Sequence, residues 1–481
     1  MSESDAIRPY SKNAAYWQYR GEPVLLLGGS NRDNLFHWAG DGPRLTEHLD
    51  ALVACGGNYL RCTISSREYT PEGYRWDILP YPWLKREDGK YDLDQWDESY
   101  WARLQTFLAE TQRRSIIVQL EIWDMWNESG NSEKRERGGG WYDSPWNPNN
   151  NVTYDWSDSP LLEPGKTDFY NRFFWAPVEH DELLTRHQER FIGRLVDEVL
   201  QFDHVLFQID NESGIAFEVG EYWAKFIAAR GQAAGRSLFV CDSRRFHSPT
   251  PVVTTTFKDW ANPDISVPVG NPEVYTFCDI SQNNGNSGQT HYDNLLWYRS
   301  KVIEHGVRPI NHVKCYHFLW PTGEGFNKRT SPSDAEAGAK FWRVVFGGAA
   351  SIRFHRDTPT KPGGLREGFG LGPESAAHMR SMRMLADALD LFVMEPHNEL
   401  LDARVDNQAY CLAAPGKQYA VFFTGQPAGA VELDLSNASG ALKQRWLDIS
   451  ASAWRDVAPV QAGTTQTIQP PGQQLWAVVL G

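Results

Sequence analysis

The segment Val205-Leu-Phe-Gln-Ile-Asp-Asn-Glu-Ser213 sets two acids and an amide directly behind a mostly apolar run. Carboxylates are rarely buried unless they are paired or put to use. A carboxyl group can give or take a proton at a reacting atom, and an amide can donate to and accept from a substrate hydroxyl. Glu212 is therefore the first candidate for a catalytic carboxyl, with Asn211 beside it as a substrate contact. The run 205–209 reads as a strand buried on both faces, as in a parallel sheet. In a barrel of parallel strands, active sites are assembled at the C-terminal strand ends.

The elements needed to hold such a site recur along the chain. Apolar strands are predicted at 23–28, 59–64, 115–122, 205–209, 237–241, 274–280, 309–318 and 350–355. Amphipathic helices are predicted at 45–55, 95–114, 189–200, 221–234, 294–305, 335–346 and 375–391. This alternation is the signature of β/α units, and it points to a (β/α)8 TIM barrel over residues 1–395, with no clear helix after the fifth strand. Residues 124–184 interrupt the pattern with a long insertion rich in Trp, Asn, Pro and Gly. Its aromatics argue against disorder, and its place after the third strand makes it a lid or cleft wall. Runs at 408–413, 418–423, 429–435, 443–449 and 474–479, separated by Gly, Pro and Asn, read as a small antiparallel β-sandwich over 396–481.

Such a barrel would collect polar side chains from nearly every strand end: Arg32 and Asp33, Arg61, Glu121 and Asp124, Asp210 to Glu212, Asp242 and Arg244, Asp279 and Asn284, Lys314, and His355 with Arg356. A ring of donors and acceptors suits a polyhydroxylated ligand, because each hydroxyl does both. The chain also carries 20 Trp, whose flat apolar faces suit sugar rings. Trp123, Trp126 and Trp141 are the stacking candidates, and Arg32, Asp33, Asn284 and His355 the hydroxyl-binding ones. The expected partner is an oligosaccharide or glycoside.

The net charge of −14 argues against nucleic acid or an anionic membrane as a partner. No apolar run reaches transmembrane length. The N-terminus, Met1-Ser-Glu-Ser-Asp-Ala6, has neither a basic nor an apolar leader region. That reads as a cytoplasmic protein, or an exported one whose signal has been removed. The 6 cysteines, four of them in strand-like runs, suit reduced buried thiols. No zinc-type spacing occurs, so no metal or cofactor is implied. The sequence does not set the oligomeric state.

Asn211-Glu212 behind the fourth strand resembles the acid/base signature of clan A glycoside hydrolases, and Arg61 matches a frequent active-site arginine of that clan. Residues 8–62 are similar to the start of the apiosidase-like group, glycoside hydrolase family 140 and its relatives. The tail from Tyr419 resembles the collagen-binding-type β-domain that follows those barrels. The resemblance implies a glycoside hydrolase in which Glu212 is the general acid/base, partnered by a carboxylate about 5 Å away in a retaining enzyme. The clan keeps that nucleophile on the seventh strand, where this chain has Val313-Lys314 instead. Three acids are candidates for the missing partner: Glu324 in the following Gly-flanked loop, Glu121 and then Asp279. Glu324 can equally be a solvated loop charge, and Glu121 a buried partner of Arg61 or Lys314. Lys314 opens two other readings: a Schiff-base aldolase or lyase, or a non-catalytic sugar-binding barrel.

Overall fold

The computed structural model of the protein describes residues 5–481 apart from 33, 37, 39–44, 65–67, 71–72, 76–80, 125–140, 142, 163–171, 214, 245–257, 317–333 and 358–367. The barrel strands, numbered one to eight, are Leu26–Gly29, Tyr59–Thr63, Ile117–Glu121, Val205–Ser213, Val240–Arg244, Cys278–Asp279, Ile310–Asn311 and Ser351–Phe354. Strands five, four, three, two, one and eight form one parallel sheet in that order, and six pairs with seven. Backbone hydrogen bonds complete the ring. Thr276 donates to Val240 at 2.9 Å between five and six, and Ala350 to Ile310 and Cys315 to Arg353, both at 2.8 Å, between seven and eight. A helix follows every strand: Leu45–Ala54, Glu98–Arg113, Glu182–Val199, Phe217–Ala233, Pro263–Gly270, Gly288–His305, Asp334–Phe346 and Pro373–Ala388. The fold is the (β/α)8 barrel that the alternation implied.

Several elements differ from the sequence pattern, and three of the differences have a clear local reason. Glu22–Val24 is not barrel strand. It is an edge of an antiparallel sheet with Arg8–Tyr10 and Asn13–Tyr19, and Pro23 sits where an edge tolerates a missing donor. The helix expected at 189–200 begins at Glu182, because Asp181 caps it by accepting from the Leu184 N–H at 3.0 Å. The fifth helix, absent from the sequence pattern, is the short Pro263–Gly270, started by Asn262 and carrying Pro268. Proline and glycine hid it.

The barrel interior is filled in layers. Trp17 from the N-terminal sheet packs with Leu26, Tyr59, Ile117, Leu206, Cys241, Phe277, Val313 and Ala350. A hydrogen-bonded polar chain runs on from there. The Trp17 indole donates to Asn311 at 2.9 Å, Asn311 to Gln119 at 2.8 Å, and Gln119 to Gln208 at 2.5 Å. The Tyr59 hydroxyl also donates to Gln119. Each amide both gives and receives, so these buried polar groups do not stand unpaired.

Beyond the barrel, a six-stranded antiparallel sheet runs in the order Glu395–Pro396, Ala409–Ala414, Gln418–Phe423, Trp476–Leu480, Gln444–Asp448, Ala453–Asp456. Leu401–Asp402, Val431–Asp434 and Thr465–Ile468 form a smaller sheet. Strand alternation divides the large sheet's side chains. Tyr419, Val421 and Phe423 share a core with Val431 and Leu433 of the smaller sheet, while Ala420 and Phe422 join the core of the barrel helices. Phe422 stacks on Trp342 of the seventh helix with ring centroids 5.4 Å apart. This is the antiparallel sandwich expected after the barrel. All six cysteines are free and buried.

Candidate active site

Strand four delivers Glu212 through a break in its own regularity. Its pairing with strand five shifts register between Gln208 and Asn211 and again between Asn211 and Ser213. Such a bulge re-aims the side chains beyond it. Asp210 holds the bulge by accepting the Asn211 N–H at 2.6 Å. Glu212 itself has φ of 59°, the left-handed region that non-glycine residues seldom enter. Its side chain keeps 22% of its surface open, whereas Lys314 keeps 2%. Lys314, three residues past strand seven, donates to Glu212 Oε1 at 2.6 Å. The buried Asn211 amide oxygen has no hydrogen-bond partner among the described residues.

Arg61 and Glu121 face one another across strands two and three. Arg61 donates to Glu121 Oε1 at 2.5 Å and to Oε2 at 2.7 Å, a two-point clamp with both side chains buried. Gln208 adds a third bond to Glu121 at 2.8 Å and uses its other N–H on the Asp210 carbonyl at 2.9 Å. Burial pushes the Glu121 carboxyl up, against the pull of Arg61 and Lys314. Of the two sequence readings of Glu121, the geometry matches the buried partner of Arg61.

Asp279 closes strand six and is 4% exposed. Its Oδ1 accepts from the Ser281 N–H at 2.9 Å and the Ser243 hydroxyl at 3.4 Å. Its buried Oδ2 has no hydrogen-bond partner among the described residues, with the Gln119 amide nearby. Burial pushes this carboxyl up as well. Asn284 is tied into a local turn: it donates to the Ser281 carbonyl at 2.6 Å, and its own carbonyl accepts from Lys340 at 2.5 Å. His355 follows strand eight, 2.6 Å from Arg356 and edge-on to Tyr316. Arg32 is half-buried past strand one.

Trp123 and Trp141 are 3% and 4% exposed. Trp123 lies against Phe173, Phe174, Phe191, Trp146 and Trp223, with ring centroids 5.5–6.3 Å away, and Trp141 against Phe173. Both therefore sit in the apolar core that anchors the insertion, where neighbouring rings cover them, rather than on an open stacking face. Asp33, Trp126 and Glu324 lie outside the described residues. The residues that sequence reasoning missed are Gln119 and Gln208. A glutamine at alternate positions of an otherwise apolar strand was the available signal, since such positions share one face.

No family model matches the chain, and no curated protein matches it in sequence. Solved structures do resemble it. A glycoside hydrolase family 5 structure from Bacteroides vulgatus is 12% identical, covers 99% of this chain and 94% of its own, and superposes with a TM-score of 0.61. A second glycoside hydrolase is 12% identical over 99% and 97% of the two chains, with a TM-score of 0.63. An alpha-amylase from Geobacillus thermoleovorans, complexed with acarbose, is 10% identical over 93% and 92%, with a TM-score of 0.53. At these identities the likeness is one of fold alone: this chain shares a TIM barrel with antiparallel sheets behind it.

Proposed function

We propose that the protein hydrolyses O-glycosidic bonds, with Glu212 as its acid/base residue. The observation that carries this reading is the placement of Glu212. It is a part-open carboxylate at the C-terminal end of strand four, on a bulge in a left-handed backbone conformation. Backbone strain of this kind persists where surrounding structure enforces it, and it concentrates at functional sites. Asn211 and its unused amide oxygen supply a substrate contact beside it. Arg61, buried and clamped to Glu121, fixes the ends of strands two and three beneath it. The apiosidase-like resemblance of residues 8–62 supports a plant- or algal-type glycan, and the large insertion after strand three supports removal of sugars from chain ends.

A Schiff base at Lys314 is disfavoured, because its Nζ is already engaged by Glu212 Oε1 at 2.6 Å. The lysine beyond strand seven, where a retaining enzyme of the clan would carry its nucleophile, favours the sugar-binding barrel as the second reading. An activity screen over aryl glycosides and plant and algal oligosaccharides separates the two. Turnover lost in Glu212→Gln is the expected result. Glycan binding without turnover, unchanged in that variant, would establish the binding barrel.

A further inference from the structure

Glu212 is not aimed by a regular ladder. Two residues of strand four, Ile209 and Asp210, stand opposite one residue of strand five, Asp242, because the register shifts between the pairs Gln208–Cys241 and Asn211–Ser243. A bulge of this kind disrupts the ladder locally and turns the side chains beyond it, so its backbone relies on side-chain partners. Asp210 Oδ1 takes the Asn211 N–H at 2.6 Å. The Asp210 carbonyl accepts from Gln208 Nε2 at 2.9 Å, and the same nitrogen donates to Glu121 Oε1 at 2.8 Å. Gln208 is fully buried, and both N–H groups of its amide are used in these two bonds. One holds the bulge, two residues before Glu212. The other goes to a carboxylate that Arg61 grips at both oxygens.

The orientation of that amide is itself fixed. An indole N–H only donates, and an ionised carboxylate only accepts. Trp17 donates to Asn311, Asn311 to Gln119 Oε1, and Gln119 to Gln208 Oε1. Gln208 is thereby left to turn its two donors toward Glu121 and the bulge. The Tyr59 hydroxyl is a second donor to Gln119 Oε1. Turning any one amide over would set donor against donor at one end and acceptor against acceptor at the other. Buried polar groups left unanswered are costly, so the chain has one direction, from the N-terminal sheet to the strand-four bulge.

Resting on the glycosidase reading, we propose that Gln208 is a positioning residue for Glu212. It pins the Asp210 carbonyl to the Arg61–Glu121 clamp, and so fixes the left-handed backbone from which Glu212 acts. Fully buried, it touches no substrate and moves no proton. Its whole effect on turnover passes through the aim of Glu212. Misplacing a reacting group by about 1 Å can cost about 100-fold in rate, so the loss of two hydrogen bonds beneath the site reaches the chemistry.

A double-mutant cycle tests this. Gln208→Met keeps the length of the side chain and removes both donors. In the otherwise native protein it should lower kcat by on the order of 100-fold, with KM nearly unchanged. Combined with Glu212→Gln, and read on an aryl glycoside whose leaving group needs no protonation, it should add almost nothing, because the group it positions is already disabled. Losses that multiply, a change carried by KM alone, or a native kcat in Gln208→Met would overturn the inference and leave the glycosidase reading standing. No turnover of any glycoside by the native protein would overturn both. Should Gln208→Met not fold, Gln208→Glu goes through the same cycle. It keeps the shape and the bond from Gln119 and loses at least one of the two donors, and the same outcomes decide.

Discussion

Glu121 and Glu212 are both strand-end acids, and the difference between them is decided by what each touches. Glu121 accepts two bonds from Arg61 and one from Gln208. Three of its roughly four acceptor sites are taken and the side chain is fully buried, so its first role is to hold Arg61. Replacing Glu121 by Gln would leave the Arg61 guanidinium buried without its counter-charge. Loss of one partner of a buried pair costs about 3–5 kcal/mol, and urea unfolding should register a drop of that size. A change near zero would mean that Arg61 finds another anion. The candidacy of Glu212 was legible in the sequence, because an acid-amide-acid cluster after an apolar strand has no packing use. Its pairing with Lys314 was not, because the two lie on different strands and only closure of the ring brings them together.

At the scale of elements, the apolar runs located most of the barrel strands and sandwich strands. What they missed were features set by single polar residues or by pairing geometry. The bulge in strand four depends on register against strand five, which no single segment encodes. The polar interior chain through Gln119 and Gln208 was hidden because those strands read as apolar overall. The early start of the third helix depends on Asp181, whose other carboxylate oxygen accepts the Ser159 hydroxyl from the insertion. Asp181→Ala should therefore lower stability by about 1 kcal/mol through loss of the cap. It should also raise proteolytic cleavage within the insertion. An unchanged digestion pattern would show that the aromatic cluster alone holds that segment in place.

Across the whole molecule, the large C-terminal sheet is buried on both faces, so the sandwich and the barrel helices share one apolar seam. Phe422→Ala removes a ring stacked on Trp342 and should cost about 3–5 kcal/mol. A smaller loss would mean that the seam repacks. The same seam has an acid-sensitive neighbour. The Trp342 indole donates to His378 Nδ1 at 3.1 Å, a bond that requires an unprotonated nitrogen. Burial lowers His378 and His48 from 6.5 to about 4, and His204 and His312 to about 3. The unfolded chain binds these protons first as pH falls. The stabilisation is therefore present above pH 6.5 and drains away between 6.5 and the folded values. Unfolding free energy measured across that range should decline steadily toward acid, and a flat profile would contradict buried neutral histidines.

The proposed role of Glu212, chemistry on a glycosidic bond, is open to direct test. The most direct measurement is reducing-sugar release from the screened glycosides by the native protein and by Glu212→Gln, compared at equal folded concentration. Turnover by the native protein and a loss of about 100-fold or more in the variant are expected. Equal rates in the two proteins would contradict it.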